Sequence, residues 1–466
     1  METVDLVGRG RVLTMDRERR IIEGGAVAVR DGRILAIGKA AEIDRRFTAK
    51  RCLGGADGLI LPGFIDGHTH CTQCFVRGLT SGELPMIPRI YSAGQKAVTP
   101  EDAASSVRML CAQLLRSGVT TVCEGTLNPA HEPALIDTFK DIGMRCVLAR
   151  GASDQEYYHA SLYSQYTETS WLRVQEGRAE ADLAHSEDLL NRYPPRGDGL
   201  IHAAVNASSL LGFSERYFTE GAALARKHDA SFHVHVARDR EEVEFCTSIW
   251  GRRPVERLSD MGVLDERLVA AHAVLASERE IELMARAGAA LAHSPIECVA
   301  NLNAIPNLPR FRAAGIRVAL GCDNQANDMF ANMRAAWLIH GSKWGIGAYD
   351  PEFLPASDVL AMATIEAAEV LRIDRVTGSL EAGKAADLIV LDGSAPHLMS
   401  AQDIESELVR YASRAEILQT VVAGRVLYDE GRYSTIDLNA LARGVPGIAA
   451  KVRAAANPRR YRPYGE

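Results

Sequence analysis

From about residue 59 to residue 368 the chain repeats one pattern: a short apolar run, then a longer stretch with helical spacing. GVTTVCEGT precedes PALIDTFKDIG, ASFHVHVA precedes REEVEFCTSIW, and LVAAHAVLA precedes SEREIELMARAG. With LILPGFIDGHTH, MRCVLARG, GLIHAAVNA, AALAHSP and IRVALGCDN, these make eight strand-like runs. Strands joined through helices run parallel, and eight such units predict a (β/α)8 barrel of the TIM type. The competing architecture is an open doubly wound sheet. A glycine-rich dinucleotide fingerprint after a strand would favour it, and none is present.

The two ends have a different texture. Residues 1–60 and 371–440 read as short alternating strands with polar turns, as in GAVAVRDGRILAIG and ADLIVLDG. They are expected to form one small β-sandwich from both termini around a barrel at 61–370, with 441–466 as a C-terminal extension. The chain has 466 residues, 47% hydrophobic and 24% charged, and a net charge of -7. That balance excludes a largely disordered chain and gives no general attraction to nucleic acid or anionic membrane. No run reaches the ~18 apolar residues of a membrane helix, and the start METVDLVGRGRVLTMD lacks the apolar core of a secretory signal. A cytoplasmic protein is expected. The nine cysteines lie mostly in apolar runs, which suits reduced buried thiols; Cys71 and Cys74 form a C-x-x-C with no second pair to complete a zinc site.

In a barrel of this kind the chemistry sits at the C-terminal ends of the strands. His68 and His70 follow LILPGFIDG, His235 ends ASFHVH, His272 ends LVAAH, His293 ends AALAH, and Asp323 ends IRVALGCD. Residues two apart in an extended segment face the same way, so His68 and His70 offer two imidazoles to one ion. A lone strand histidine is usually a hydrogen-bonded core residue, and a lone Asp323 could cap a helix. Their shared placement points instead to a metal site built from His68, His70, His235 and Asp323. This N/O donor set suits a divalent ion, zinc first, with iron(II), cobalt or manganese as alternatives. His233 lies one layer deeper than His235 and reads as core or as a support behind the ligands, not as a ligand.

LPGFIDGHTH, HVHVA, ALGCDN and GSLEAGKAADLIVLD, in that order, resemble the metal-dependent amidohydrolase superfamily over nearly the whole chain. Within it the chain resembles the cytosine-deaminase and triazine-hydrolase group, and more specifically phenylurea and thiocarbamate herbicide hydrolases. The resemblance implies a deformed barrel, a small β-sandwich, a metal-bound water attacking an electrophilic carbon, and a homo-oligomer. Strand four, GLIHAAVNASS, lacks the lysine that bridges two metals in some members, which implies one ion per chain. His272 matches a histidine that contacts substrate or water, and His293 falls near a further family histidine. One departure stands out. Ring-deaminating members show H-x-x-E after strand five; here Arg238 replaces the glutamate, and Asp239, Glu241 and Glu242 belong to a helix start.

Arg238 reads either as a salt-bridged helix residue or as an anchor for a substrate oxygen. Asp323 is expected to move a proton from water to the leaving nitrogen, and His272 to stabilise the developing oxyanion. Without a donor for a ring nitrogen, hydrolysis of an open-chain urea, carbamate, thiocarbamate or amide is the preferred expectation. Two rivals stay open: an aminohydrolase of a heteroaromatic ring such as a triazine or pyrimidine, and a non-catalytic binding protein on the same barrel. The segment 154–191, with Tyr157, His159 and further aromatic residues, reads either as a lid or binding loop over a small-molecule substrate or as a packed excursion or oligomer contact. Gln73, after the H-x-H, is a further candidate for the pocket wall.

Overall fold

The computed structural model describes residues 1–80, 87–127, 129–156, 173–302, 304–324, 326–350 and 353–458. Four N-terminal strands, β1 (Glu2–Leu13), β2 (Ile21–Arg30), β3 (Arg33–Lys39) and β4 (Phe47–Pro62), lead into β5 (Phe64–Thr69), β6 (Val119–Leu127) and β7 (Arg145–Arg150). A small ribbon, β8 (Gln155–Glu156) with β9 (Arg173–Val174), follows. Next come β10 (Ile201–Asn206), β11 (Phe232–Val236), β12 (Leu268–His272), β13 (Ala290–His293) and β14 (Val318–Leu320). The chain returns through β15 (Leu388–Asp392), β16 (Ile417–Val422), β17 (Arg425–Asp429) and β18 (Arg432–Tyr433), and a helix spans Leu438–Ala456.

The expected barrel is present. Its strands lie in the order β5, β6, β7, β10, β11, β12, β13, β14, every neighbouring pair parallel. The last strand comes back to the first: the amide of Asp323 donates to the carbonyl of His68 at 2.9 Å. An open doubly wound sheet could not make that contact. The interior is filled by small side chains, Cys123, Ala149, Ala204, Ala271, Ala292 and Ala319 among them. Ala367, Ala368 and Ile373 pack into the same cluster and plug the N-terminal end. His233 is buried there against Ser231 Oγ at 2.9 Å and Cys123 Sγ at 3.7 Å, as a core histidine. Burial pulls its pKa down to about 4.

The two chain ends build one hydrogen-bonded sheet, ordered β18-β17-β16-β15-β4-β1-β2-β3. β4 is the seam, parallel to β1 and antiparallel to β15. The sheet curls on itself: the turn at Gly32 meets the turn at Gly424, although β15, β4 and β1 lie between their strands. A buried ion pair ties it to the barrel, Arg145 Nε donating to Asp387 Oδ2 at 2.8 Å. Asp387 also accepts from the amide of Ala423 at 2.7 Å. All nine cysteines are free, and only Cys52 is exposed. Among the described residues no helix is long and apolar enough to cross a membrane.

Candidate active site

Four barrel strands deliver polar side chains to one point. β5 supplies His68 and, one residue past its end, His70; β11 supplies His235; β12 ends on His272; Asp323 follows β14. All five are buried. Asp323 Oδ1 lies 3.6 Å from His70 Nε2, and Asp323 Oδ2 lies 3.6 Å from His272 Nε2 and 3.8 Å from His68 Nε2. These spans are too long for hydrogen bonds. The donor atoms fall into two overlapping groups, His68 with His235 and His272, and His68 with His70 and Asp323, each within 4.8 Å.

Several of these buried atoms have no partner among the described residues: both ring nitrogens of His68, Nδ1 of His70 and Nδ1 of His272. Orphaned buried polar atoms are costly; of these, His68 Nε2 faces Asp323, and a cation held there would satisfy it together with His70 Nε2 and a carboxylate oxygen of Asp323. Burial pushes the pKa of His68, His235 and His272 well down, which leaves them as neutral imidazoles, the form that ligates a metal. His70 differs: burial opposes its charge, but Asp323 and Glu124 outweigh burial and raise it. Burial raises Asp323 against the pull of His70.

Neighbours set the ring orientations. His235 Nδ1 lies 2.8 Å from the carbonyl of Ser208, which leaves Nε2 for the centre. Glu124 on β6 accepts from the amide of Cys71 at 2.6 Å and lies 3.8 Å from His70 Nδ1. Such outer carboxylates fix the tautomer and orientation of a ligating histidine. The His68 ring sits over Gly125, where a Cβ would lie 2.6 Å from Nδ1 and closer still to Cε1. Backbone strain gathers at the site: Ala237, His272 and Asp323 take φ of 48°, 71° and 50°.

The other candidates separate. Arg238 donates to the carboxylate of Asp239, which caps the helix Arg240–Trp250 by accepting from the amide of Glu242 at 2.9 Å. Arg238 is therefore salt-bridged, and its charge also acts on His235, His272 and Asp323. Gln73 Oε1 accepts from Asn324 at 2.9 Å, directly beside Asp323. His293 sits in a buried pair, its Nε2 2.9 Å from that of His340, whose ring stacks on Trp344. Burial pulls His293 down to about 3. Tyr157 and His159 lie outside the described residues.

Two acids at the site were not picked out from the sequence. Glu124 lies in the C-terminal half of β6, in TTVCEGT, three residues before the strand's last residue. Glu297 lies four residues past His293, in the short helix Pro295–Glu297. It is buried, and burial, with Asp323 next, pushes its carboxyl up to about 8.

The sequence profile of the amidohydrolase family matches residues 59–427. The chain belongs to that family. A shorter stretch, 25–49, matches a bacterial imidazolonepropionase-like composite domain. This amidohydrolase is a metal-dependent hydrolase of carbon–nitrogen bonds, which removes the non-catalytic alternative. It is 31% identical, over 96% of its own length and 98% of the relative's, to a 5-methylthioadenosine/S-adenosylhomocysteine deaminase of Syntrophobacter fumaroxidans. Among solved structures it is similar to a zinc-bound adenosine deaminase of Xanthomonas campestris (TM-score 0.85, 26% identity, 97% of this chain and 99% of that one). It also shares the fold of a zinc complex of an atrazine chlorohydrolase of Arthrobacter aurescens (TM-score 0.82, 23% identity, 95% and 100%).

These relatives favour the ring-aminohydrolase alternative over the preferred open-chain substrate. The similar proteins above 25% identity are deaminases, and nothing in them supports cleavage of a phenylurea, carbamate or thiocarbamate. The expectation rested on Arg238 standing where a ring-protonating glutamate was looked for. It assumed that such an acid could come from that position alone.

Proposed function

We propose that this amidohydrolase removes the exocyclic amino group of a heteroaromatic ring as ammonia. The adenine ring of a small nucleoside is the substrate class its relatives favour. The observation that carries this is the end-to-end similarity to a 5-methylthioadenosine/S-adenosylhomocysteine deaminase. In the same reading His68, His70, His235 and Asp323 hold one zinc ion per chain, supported by the partnerless buried Nε2 of His68 and the spacing around Asp323.

A divalent cation held by these residues would supply Lewis acidity and activate the attacking water at neutral pH. Asp323 takes a proton from that water and hands it to the leaving nitrogen. His272, 3.6 Å from Asp323, hydrogen-bonds the oxygen as it adds to the ring carbon. Glu124 keeps His70 turned toward the centre. One carbon–oxygen bond forms, one carbon–nitrogen bond breaks, and ammonia departs.

Ammonia release by the zinc-loaded protein on adenosine, 5-methylthioadenosine, an aminotriazine and an aryl urea tests the proposal. The ring amines are expected to dominate in kcat/KM. Clear preference for the urea would overturn it.

A further inference from the structure

Adding water to a ring carbon pushes electron density onto the adjacent ring nitrogen, which then needs a proton donor. The position three residues after His235 does not supply one. Arg238 keeps its proton at any working pH and is engaged with Asp239. Asp239 is occupied by that ion pair and by capping its helix. Glu242 accepts from the amide of Arg238 through Oε2 at 3.1 Å; its buried Oε1 has no partner among the described residues, but the charged groups acting on it are Asp239, Arg238 and Glu280 and none belongs to the His/Asp cluster.

A different acid is coupled electrostatically to the His/Asp cluster. Glu297 is 4% exposed. Its Oε1 accepts from Asn301 Nδ2 at 2.6 Å, and Asn301 Oδ1 in turn accepts from Thr80 Oγ1 at 3.1 Å. The carboxyl is thus held between the segment after β13 and the segment after β5. Its Oε2 has no partner among the described residues. The charged groups that act on it are Asp323, His70 and Arg238, two of them in the His/Asp cluster and the third at its rim. A buried carboxyl oxygen without a partner is expensive to keep in a merely structural role.

We propose that Glu297 Oε2 contacts the substrate ring nitrogen and gives it a proton, taking from the loop after β13 the part that strand five does not supply. The proposal rests on the deaminase reading above. The balance closes with one water. Asp323 carries the first proton of the water to the departing amine. Glu297 gives a proton to the ring nitrogen, where it stays in the lactam product. Glu297 regains one from the added hydroxyl as the carbon–nitrogen bond breaks.

The test compares zinc-loaded wild type with Glu297→Gln and Glu297→Ala on the best ring amine found, reading metal content, melting temperature, kcat and KM. The Gln variant keeps an oxygen for Asn301 and loses only the transferable proton. With metal retained, kcat should fall by ~10²–10⁴-fold in both variants, the usual contribution of a positioned acid, with a much smaller change in KM. Near wild-type kcat in both variants overturns the role of Glu297 and leaves the deaminase reading standing. Loss of zinc in the Gln variant also overturns it, because the carboxyl then serves the ligand set. A wild type that releases ammonia from no ring amine removes the deaminase reading and this proposal together.

Discussion

Gly125→Ala should damage the site while leaving the fold intact. Gly125 lies on β6 directly beneath the imidazole of His68, and a Cβ there would come within 2.6 Å of Nδ1. Ordinary contact between such atoms needs about 3.5 Å, so the ring must move by close to 1 Å. It cannot swing freely, because His70, His235 and His272 pack around it with ring centroids at 5.0, 4.8 and 5.3 Å. Overpacking a buried site of this kind costs about 1–3 kcal/mol. A misplacement of ~1 Å at a reacting centre costs ~10²-fold in rate, and disturbed ligand orientation costs about 10–100-fold in metal affinity. The expected variant is therefore folded, with a melting temperature lowered by a few degrees, zinc affinity down by one to two decades and kcat/KM down ~10²-fold at saturating zinc. Circular dichroism, metal titration and ammonia release check the three parts. A variant with wild-type zinc affinity and activity within threefold would refute the claim that the His68 ring is fixed by this contact.

Asp323→Asn can still offer an oxygen to a metal but cannot carry a proton, so turnover should fall ~10²–10⁴-fold, well beyond any loss of bound zinc; equal losses of both would show that ligation is its only part. His70→Ala and His235→Ala should each remove metal and activity together, measured on one preparation. Arg145→Met leaves Asp387 buried without its counter-charge and should destabilise the protein by about 3–5 kcal/mol, read from denaturant unfolding, with little effect on zinc binding in the folded fraction. His202 is held neutral in the fold, its pKa pulled down to about 4 by burial and then by Arg145. A depressed histidine contributes stability above its unfolded pKa of about 6.5, and loses it as pH falls from there toward 4. His202→Gln should remove up to about 3 kcal/mol of that acid dependence; an unchanged stability–pH curve would count against it.

The barrel was legible because its instructions are local. A strand-like run of four to six residues and an amphipathic helix are each written in neighbouring positions, and eight repeats leave few ways to close. The residues of the His/Asp cluster were legible for the same reason, since the C-terminal ends of parallel strands converge in any barrel of this topology. Arg238 shows where that reasoning ended. Its number in the sequence said which acid was missing, and said nothing of what lies across the barrel mouth. Glu297 and Asn301 come from the segment after β13, and Thr80, which orients Asn301, is 221 positions away in the chain. Gly125 is an unremarked strand glycine until His68 lands on it from the neighbouring strand. Burial and electrostatic pressure on a side chain come from whatever surrounds it in space. The strand ends could therefore be found from sequence, whereas the loops that complete the site were decided only by how the folded chain brings them together.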